Sequence, residues 1–128
     1  MSVCRNALWG IGGQQLILDS GKICLHTDQI KDCRTAVGIN ATRKQLFFAV
    51  FESASFAGAA AYLAARGVID ATLLDGGDSS CLSIGRGAQG IIPRTLVYPT
   101  RANATILGVR ARGSKSTASL LNWTSSKL

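Results

Sequence analysis

Fourteen of the 128 residues are glycine, roughly one and a half times average usage, and they fall in clusters. Glycine supports turns and close backbone approach but weakens the interior of a helix or strand. Gly10-Ile-Gly-Gly13, Gly21, Gly67, Gly76-Gly77 and Gly85-Arg-Gly87 therefore cut the chain into short elements. The longest apolar stretches, Leu46 to Phe51 and Ala57 to Ala65, are far shorter than a membrane span. With 47% hydrophobic and 16% charged residues, the chain has too much apolar content to stay disordered. Its length allows one domain, since two halves would each be too small for a core. Two prolines and no Gly-x-y period exclude a collagen-like or Pro-rich chain.

Between the glycines the pattern alternates short strands with one helix. Leu16 to Leu18 and Ile23 to Leu25 read as a hairpin closed by Asp19-Ser-Gly-Lys22. Residues 26–33 are polar and read as a loop. Arg34 to Ile39 and Gln45 to Glu52 read as strands joined by the five-residue connection Asn40 to Lys44. Residues 53–66 are the one strong helix candidate, with Ser53 or Ser55 as cap and Gly67 beyond the end. Phe56, Ala59, Ala60, Leu63 and Ala64 share one face at helical spacing, and the alanines make that face flat. Residues 68–75 read as a strand, Cys81 to Ile84 as extended, 88–100 as irregular, and Ala102 to Val109 as a final strand. The expected fold is α+β, a mainly antiparallel or mixed sheet with one main helix packed on a face. The domain occupies 1–111, and the Ser/Lys-rich residues 112–128 read as a tail.

Charge is distributed unevenly. Residues 1–83 carry seven basic and seven acidic side chains, whereas 84–128 carry seven basic and none acidic, which accounts for the net +7. A one-sided basic segment fits an anionic partner or simply a basic soluble surface. Cys4, Cys24, Cys33 and Cys81 include no C-x-x-C pair, which argues against zinc. Residues 1–13 lack the apolar core of a signal peptide, so the chain as it stands reads as cytoplasmic with reduced thiols. As a fragment of a longer precursor it would read as exported. Asn40-Ala-Thr42, Asn103-Ala-Thr105 and Asn122-Trp-Thr124 match the glycosylation pattern, which is short enough to arise by chance.

Leu74-Asp75-Gly76-Gly77-Asp78-Ser79-Ser80 concentrates the chemistry. Asp75 closes an apolar run, so its carboxylate should emerge at the rim of the sheet. Two glycines then expose backbone N–H groups, and Asp78, Ser79 and Ser80 add a carboxylate and two hydroxyls. Backbone N–H groups suit anions; carboxylates suit protons, hydroxyls or metal. The alternative is a tight turn in which Asp and Ser bond their own backbone.

These residues belong to an ordered set that resembles the phosphodiester glycosidase family, the domain of the enzyme that uncovers mannose 6-phosphate by removing N-acetylglucosamine. Arg34-Thr-Ala-Val-Gly-Ile39 is similar to the family's R-T-A-I-G-V strand. Val50-Phe-Glu52 is similar to its hydrophobic strand that ends in an acid before a helix. Leu74 to Ser80 resembles L-D-G-G-G-S-S, and Ala102-Asn-Ala104 the family's A-N-A segment. Trp9-Gly-Ile-Gly-Gly13 resembles the stretch upstream of the arginine strand, so the likeness runs over roughly residues 7–109. Asp78 stands where the family has a third glycine, adding charge and removing φ freedom. The family's domains carry further N-terminal strands, so the chain is expected to hold the C-terminal portion of the fold.

The resemblance implies hydrolysis of a sugar-1-phosphodiester to free sugar and phosphomonoester, on a sugar-phosphodiester or glycan substrate; the residues lead to no assigned cofactor and no assigned metal ligand. An oxocarbenium-like sugar needs a carboxylate; Asp75 is the first candidate, then Glu52 and Asp78. The departing phosphate needs cations, which Arg34 and Arg101 can supply. Gly76, Gly77, Ser79, Ser80 and Asn103 complete the expected substrate-binding set. Structural alternatives exist for three of these: a strand-edge charge for Arg34, a structural amide for Asn103, and a helix N-terminal acid for Glu52. His26 is the sole histidine, which argues against Ser-His catalysis. Two other readings remain: a non-catalytic module that binds anionic glycan or nucleic acid through the basic third, or an inactive truncated relic. Only Tyr98 and Trp123 accompany those basic residues, which argues against stacking on single-stranded nucleic acid.

Overall fold

Asp-Cys-Arg-Thr-Ala-Val-Gly-Ile-Asn alternates two sets of side chains, as a strand with two different faces requires. In the computed structural model, which describes residues 12–24, 29–84, 94–103 and 107–109, this segment is β3 (Asp32–Asn40). Arg34 and Ala36 are buried on one of its faces, while Cys33 and Thr35 on the other are half-buried. β3 pairs antiparallel with β4 (Leu46–Ala54) on one side and β5 (Val68–Leu73) on the other. β5 pairs with β1 (Gln15–Asp19), and β1 with β2 (Lys22–Ile23). The result is a five-stranded antiparallel sheet of order β2-β1-β5-β3-β4.

Helix α1 (Phe56–Ala64) links β4 to β5 and lies on one face of the sheet. Ser55 caps it by accepting a bond from the Gly58 N–H at 3.1 Å. Gly67, at φ +80°, takes the left-handed position just past its end. Ala59 and Ala60 are fully buried; side chains this small let the helix lie close on the sheet. Leu63 reaches past them into a core with Ile17, Leu18, Ala36 and Leu73. Phe51 meets Tyr62 edge to face, with ring centroids 5.3 Å apart. At Gly38, a Cβ would stand 2.5 Å from Val68 Cγ1 and 3.0 Å from the Asp70 carbonyl oxygen. The glycine of the arginine strand is therefore a close-approach residue between β3 and β5.

The α+β class agrees with the expectation, and most elements fall where the sequence places them. Several boundaries differ. β4 runs on to Ala54, taking Ser53 and Ala54 from the segment read as helix, and α1 begins at Phe56. β3 begins at Asp32, inside the polar stretch read as a loop. β5 ends at Leu73, two residues before Asp75. Arg94–Val97, inside the segment read as irregular, is β7 and pairs antiparallel with β6 (Leu82–Ile84). Pro93 and Pro99 suggested irregularity, but both lie outside this strand in sequence. Of the expected strand Ala102 to Val109, residues 102, 103 and 107–109 are in no strand, and 104–106 lie outside the described residues. Gly85-Arg-Gly87, the boundary at 111 and the tail 112–128 also lie outside them. Cys24, Cys33 and Cys81 are free thiols. Among the described residues, no helix is long and apolar enough to cross a membrane.

Leu63 is 2% exposed, so Leu63→Ala is expected to cost about 2–5 kcal/mol. Equilibrium unfolding in urea measures this; a loss below about 0.5 kcal/mol would show that the α1 face is not core.

Candidate active site

β4 and β5 both run antiparallel to β3, so their C-terminal ends meet the N-terminal end of β3 at one rim of the sheet. The ladder continues one residue past β5, where the Leu74 N–H donates to the Thr35 carbonyl at 2.8 Å. Asp75 then leaves the sheet, with a side chain 70% exposed. Gly76 lies against β3: a Cβ there would stand 2.9 Å from the Cys33 carbonyl oxygen. Gly77, at φ +57°, turns the chain into a single 3-10 turn, Gly77–Ser79. Ser80 is buried, and its Oγ accepts from Thr35 Oγ1 at 3.2 Å. Thr35 thus fixes both ends of the loop.

The segment after β7 returns to this loop. Arg101 Nη2 donates to Asp75 Oδ2 at 2.9 Å, and its Nε to Ser79 Oγ at 2.7 Å. The Gly76 N–H donates to Asp75 Oδ1 at 3.1 Å. Asn103 Nδ2 donates to the Ser79 carbonyl at 2.9 Å. The Ser79 hydroxyl foremost holds the Asp75 carboxyl below the usual carboxylate range; desolvation opposes it, and the Arg101 charge and the Gly76 N–H add to the lowering. Asp75 is therefore an anion at neutral pH.

The other expected site residues occupy different positions. Asp78 is exposed, and its Oδ1 accepts from Thr100 Oγ1 at 2.6 Å. Glu52 is exposed on β4, and its carbonyl accepts from the Cys33 thiol at 3.1 Å. Burial pushes the Cys33 thiol up, and the charges of Asp32, Glu52 and Asp78 push it further, against Arg34. Cys33 thus remains a protonated thiol rather than a nucleophile. The Arg34 guanidinium lies on the α1 side of the sheet. It donates to the Ala54 carbonyl at 3.3 Å and the Ile30 carbonyl at 3.1 Å, and stacks 4.7 Å from the Phe56 ring centroid. It is the backbone and Cδ of Arg34 that border Gly76. The structure thus gathers Asp75, Gly76, Ser79, Arg101 and Asn103, with Gly77 and Ser80 shaping the loop beneath them. Arg34 Nη1 stands 3.9 Å from Asp32 Oδ2, beside the same rim.

Sequence reasoning missed Thr35 and Thr100. Thr35 sits within the alternation of β3, where only the loop's position reveals its second partner. Thr100 follows a proline in a segment with no periodic signal. Among the described residues, no group of three or more His, Cys, Asp or Glu is placed to hold a metal ion.

An antiparallel α+β sheet with a carboxylate, an arginine and a serine joined at one rim defines the class of domain. The family model for phosphodiester glycosidase matches residues 2–110, and the chain belongs to that family. Comparison with curated proteins finds no match.

Gly76→Ala tests how the loop is seated. Its Cβ would meet a backbone oxygen that cannot rotate away, so the loop must shift, at about 1–3 kcal/mol, as for overpacking in general. Thermal or urea unfolding measures the loss; a neutral substitution would show that the loop is not pressed on β3.

Proposed function

We propose that the chain acts as a glycosidase that hydrolyses a sugar-1-phosphodiester to free sugar and a phosphomonoester. The observation that carries this reading is the ionised Asp75 carboxylate, bonded by Arg101 and Ser79 in an Asp-Gly-Gly run that resembles the family's and lies within the matched residues. In the reaction the bond from the anomeric carbon to the phosphate oxygen breaks, and its electron pair leaves on that oxygen. Water supplies the new C–O bond and gives up a proton. A phosphate leaves far more readily than a sugar alkoxide, so neutralising its charge does the work that protonation does for an ordinary glycoside.

An anionic carboxylate fits three roles here: stabilising the oxocarbenium-like sugar, attacking it, or taking the proton from water. It does not fit the role of a general acid. Arg101, 59% exposed, can face the departing phosphate while it holds Asp75. Gly76 seats the loop against β3, Gly77 turns it, Asn103 steadies Ser79, and Ser80 anchors the loop. Arg34 supports the rim from the α1 side. Glu52 and Asp78 are the next carboxylates in line. The family match supports a glycan-type substrate; the particular sugar, including N-acetylglucosamine, is part of the proposal.

Asp75→Asn keeps the side chain's size and removes its charge. It is expected to lower kcat by at least about 10²–10⁴-fold, the range typical of acid–base assistance, with Tm nearly kept. Release of reducing sugar from a sugar-1-phosphodiester measures it, with the parent chain as reference. A parent without turnover would overturn the proposal; an active parent with an equally active Asp75→Asn would move the carboxylate role to Glu52 or Asp78.

The pH profile carries a second expectation. Asp75 has a folded-state pKa below its unfolded value, so both its ionised form and its contribution to stability are present above the unfolded pKa and fall away as pH drops through the folded one. The acid limb of kcat/KM should therefore lie below the ordinary aspartate range, and Arg101→Gln should move it upward. An acid limb near neutral pH would mean that a different group limits the rate.

A further inference from the structure

Thr100 makes two hydrogen bonds to one residue. Its N–H donates to the Asp78 carbonyl at 3.0 Å, and its Oγ1 donates to the Asp78 carboxylate at 2.6 Å. This clasp joins segments 22 residues apart. Residues 98–103 follow β7 without helix or strand, so no ladder fixes their place. Arg101 is the next residue, and Asn103 stands two further on. Thr100 supplies the main-chain link to the loop, whereas Arg101 and Asn103 reach it through side chains. A long arginine side chain has much rotamer freedom to lose, and a backbone anchored one residue away reduces the space it must search. The short O–H to carboxylate bond is also of the charge-assisted kind, stronger than a neutral one.

We infer that Thr100, through its clasp on Asp78, is a positioning residue that sets Arg101 against Asp75 and Ser79. Its catalytic consequence rests on the reading of Asp75 and Arg101 as the working pair, but the placement does not. Asp78 thereby has a use in this chain that a glycine could not serve, because glycine has no side-chain acceptor. The clasp positions; the Asp75 carboxylate and the Arg101 guanidinium meet the substrate.

The test compares Thr100→Val, which keeps the shape and removes the hydroxyl donor, with Thr100→Ser, which restores the donor, both in the 128-residue chain. Carboxyl NMR titration reads the midpoint of Asp75, and the Nε–Hε resonance of Arg101 reads its bond to Ser79. The expected result for Thr100→Val is an upward shift of the Asp75 midpoint toward the ordinary aspartate value and loss of the exchange-protected Arg101 signal, at unchanged Tm. Thr100→Ser should keep both. Arg101→Gln sets the full size of the midpoint shift. The inference is overturned if Thr100→Val leaves both readouts at the parent values, if Thr100→Ser behaves like Thr100→Val, or if Arg101→Gln itself leaves the midpoint unmoved. None of these readouts requires turnover, so an inactive parent would sink the glycosidase proposal and leave this result standing.

Discussion

Thr35 joins the sheet to the rim loop with its main chain and its side chain at once. Its carbonyl accepts the Leu74 N–H, the last rung between β3 and the chain leaving β5, and its hydroxyl donates to the buried Ser80. These two bonds fix where the loop leaves the sheet and where it comes back. Five residues lie between the fixed points, and they hold Asp75, Gly76, Gly77, Asp78 and Ser79. The loop owes its shape to the sheet, which owes its own closeness to Gly38 and to the flat alanine face of α1. A polar cluster on a rim braced in this way needs little internal rigidity of its own.

Electrostatics then decides what the rim can do. Asp32, Glu52 and Asp78 act together on Cys33, and Asp75 lies on the adjoining loop. All the acidic residues fall within 1–83, whereas 84–128 carry basic residues alone. Arg101 brings one charge of the basic third to the acidic rim. The Asp75–Arg101 pair is largely exposed, at 70% and 59%, and exposed pairs contribute little to stability. Its main effect is on orientation: it turns the guanidinium toward the carboxylate and adds to the Ser79 bond in lowering the Asp75 pKa.

The fold was legible in the sequence wherever local chemistry and packing agree. Ser55 capping an alanine-rich face, Gly67 past the helix end, and Ser20-Gly21 between two apolar runs each carry their own signal, and each falls where expected. β7 was missed because two flanking prolines outweighed four residues of strand. The expected strand from Ala102 was an overreach from an apolar run, since residues 102 and 103 belong to the segment that returns to the loop. The site was legible as a set of residue types in a motif, but their pairing was not. Nothing in the spacing told that Arg101 would meet Asp75 while the Arg34 guanidinium would turn toward α1 and stack on Phe56. That division follows from strand parity: Arg34 shares a face with Ala36, and Thr35 takes the other face, toward Ser80.

The same distinction explains how the loop accepts Asp78 where the family's motif has glycine. A glycine in such a run invites the inference that its backbone needs a left-handed φ, and an aspartate there would then be strained. Gly77 is the loop residue in that region, at φ +57°, and Asp78 is not among the non-glycine residues with positive φ. The backbone of the 3-10 turn therefore tolerates a side chain at position 78, and this side chain points its carboxylate at Thr100. Gly76 is different again: its φ of −126° is ordinary, and it is the Cys33 carbonyl that leaves no space for a Cβ. The two glycines thus obey two different constraints, close approach at 76 and left-handed backbone at 77, and position 78 is under neither. The position under neither constraint is the one that carries a side chain.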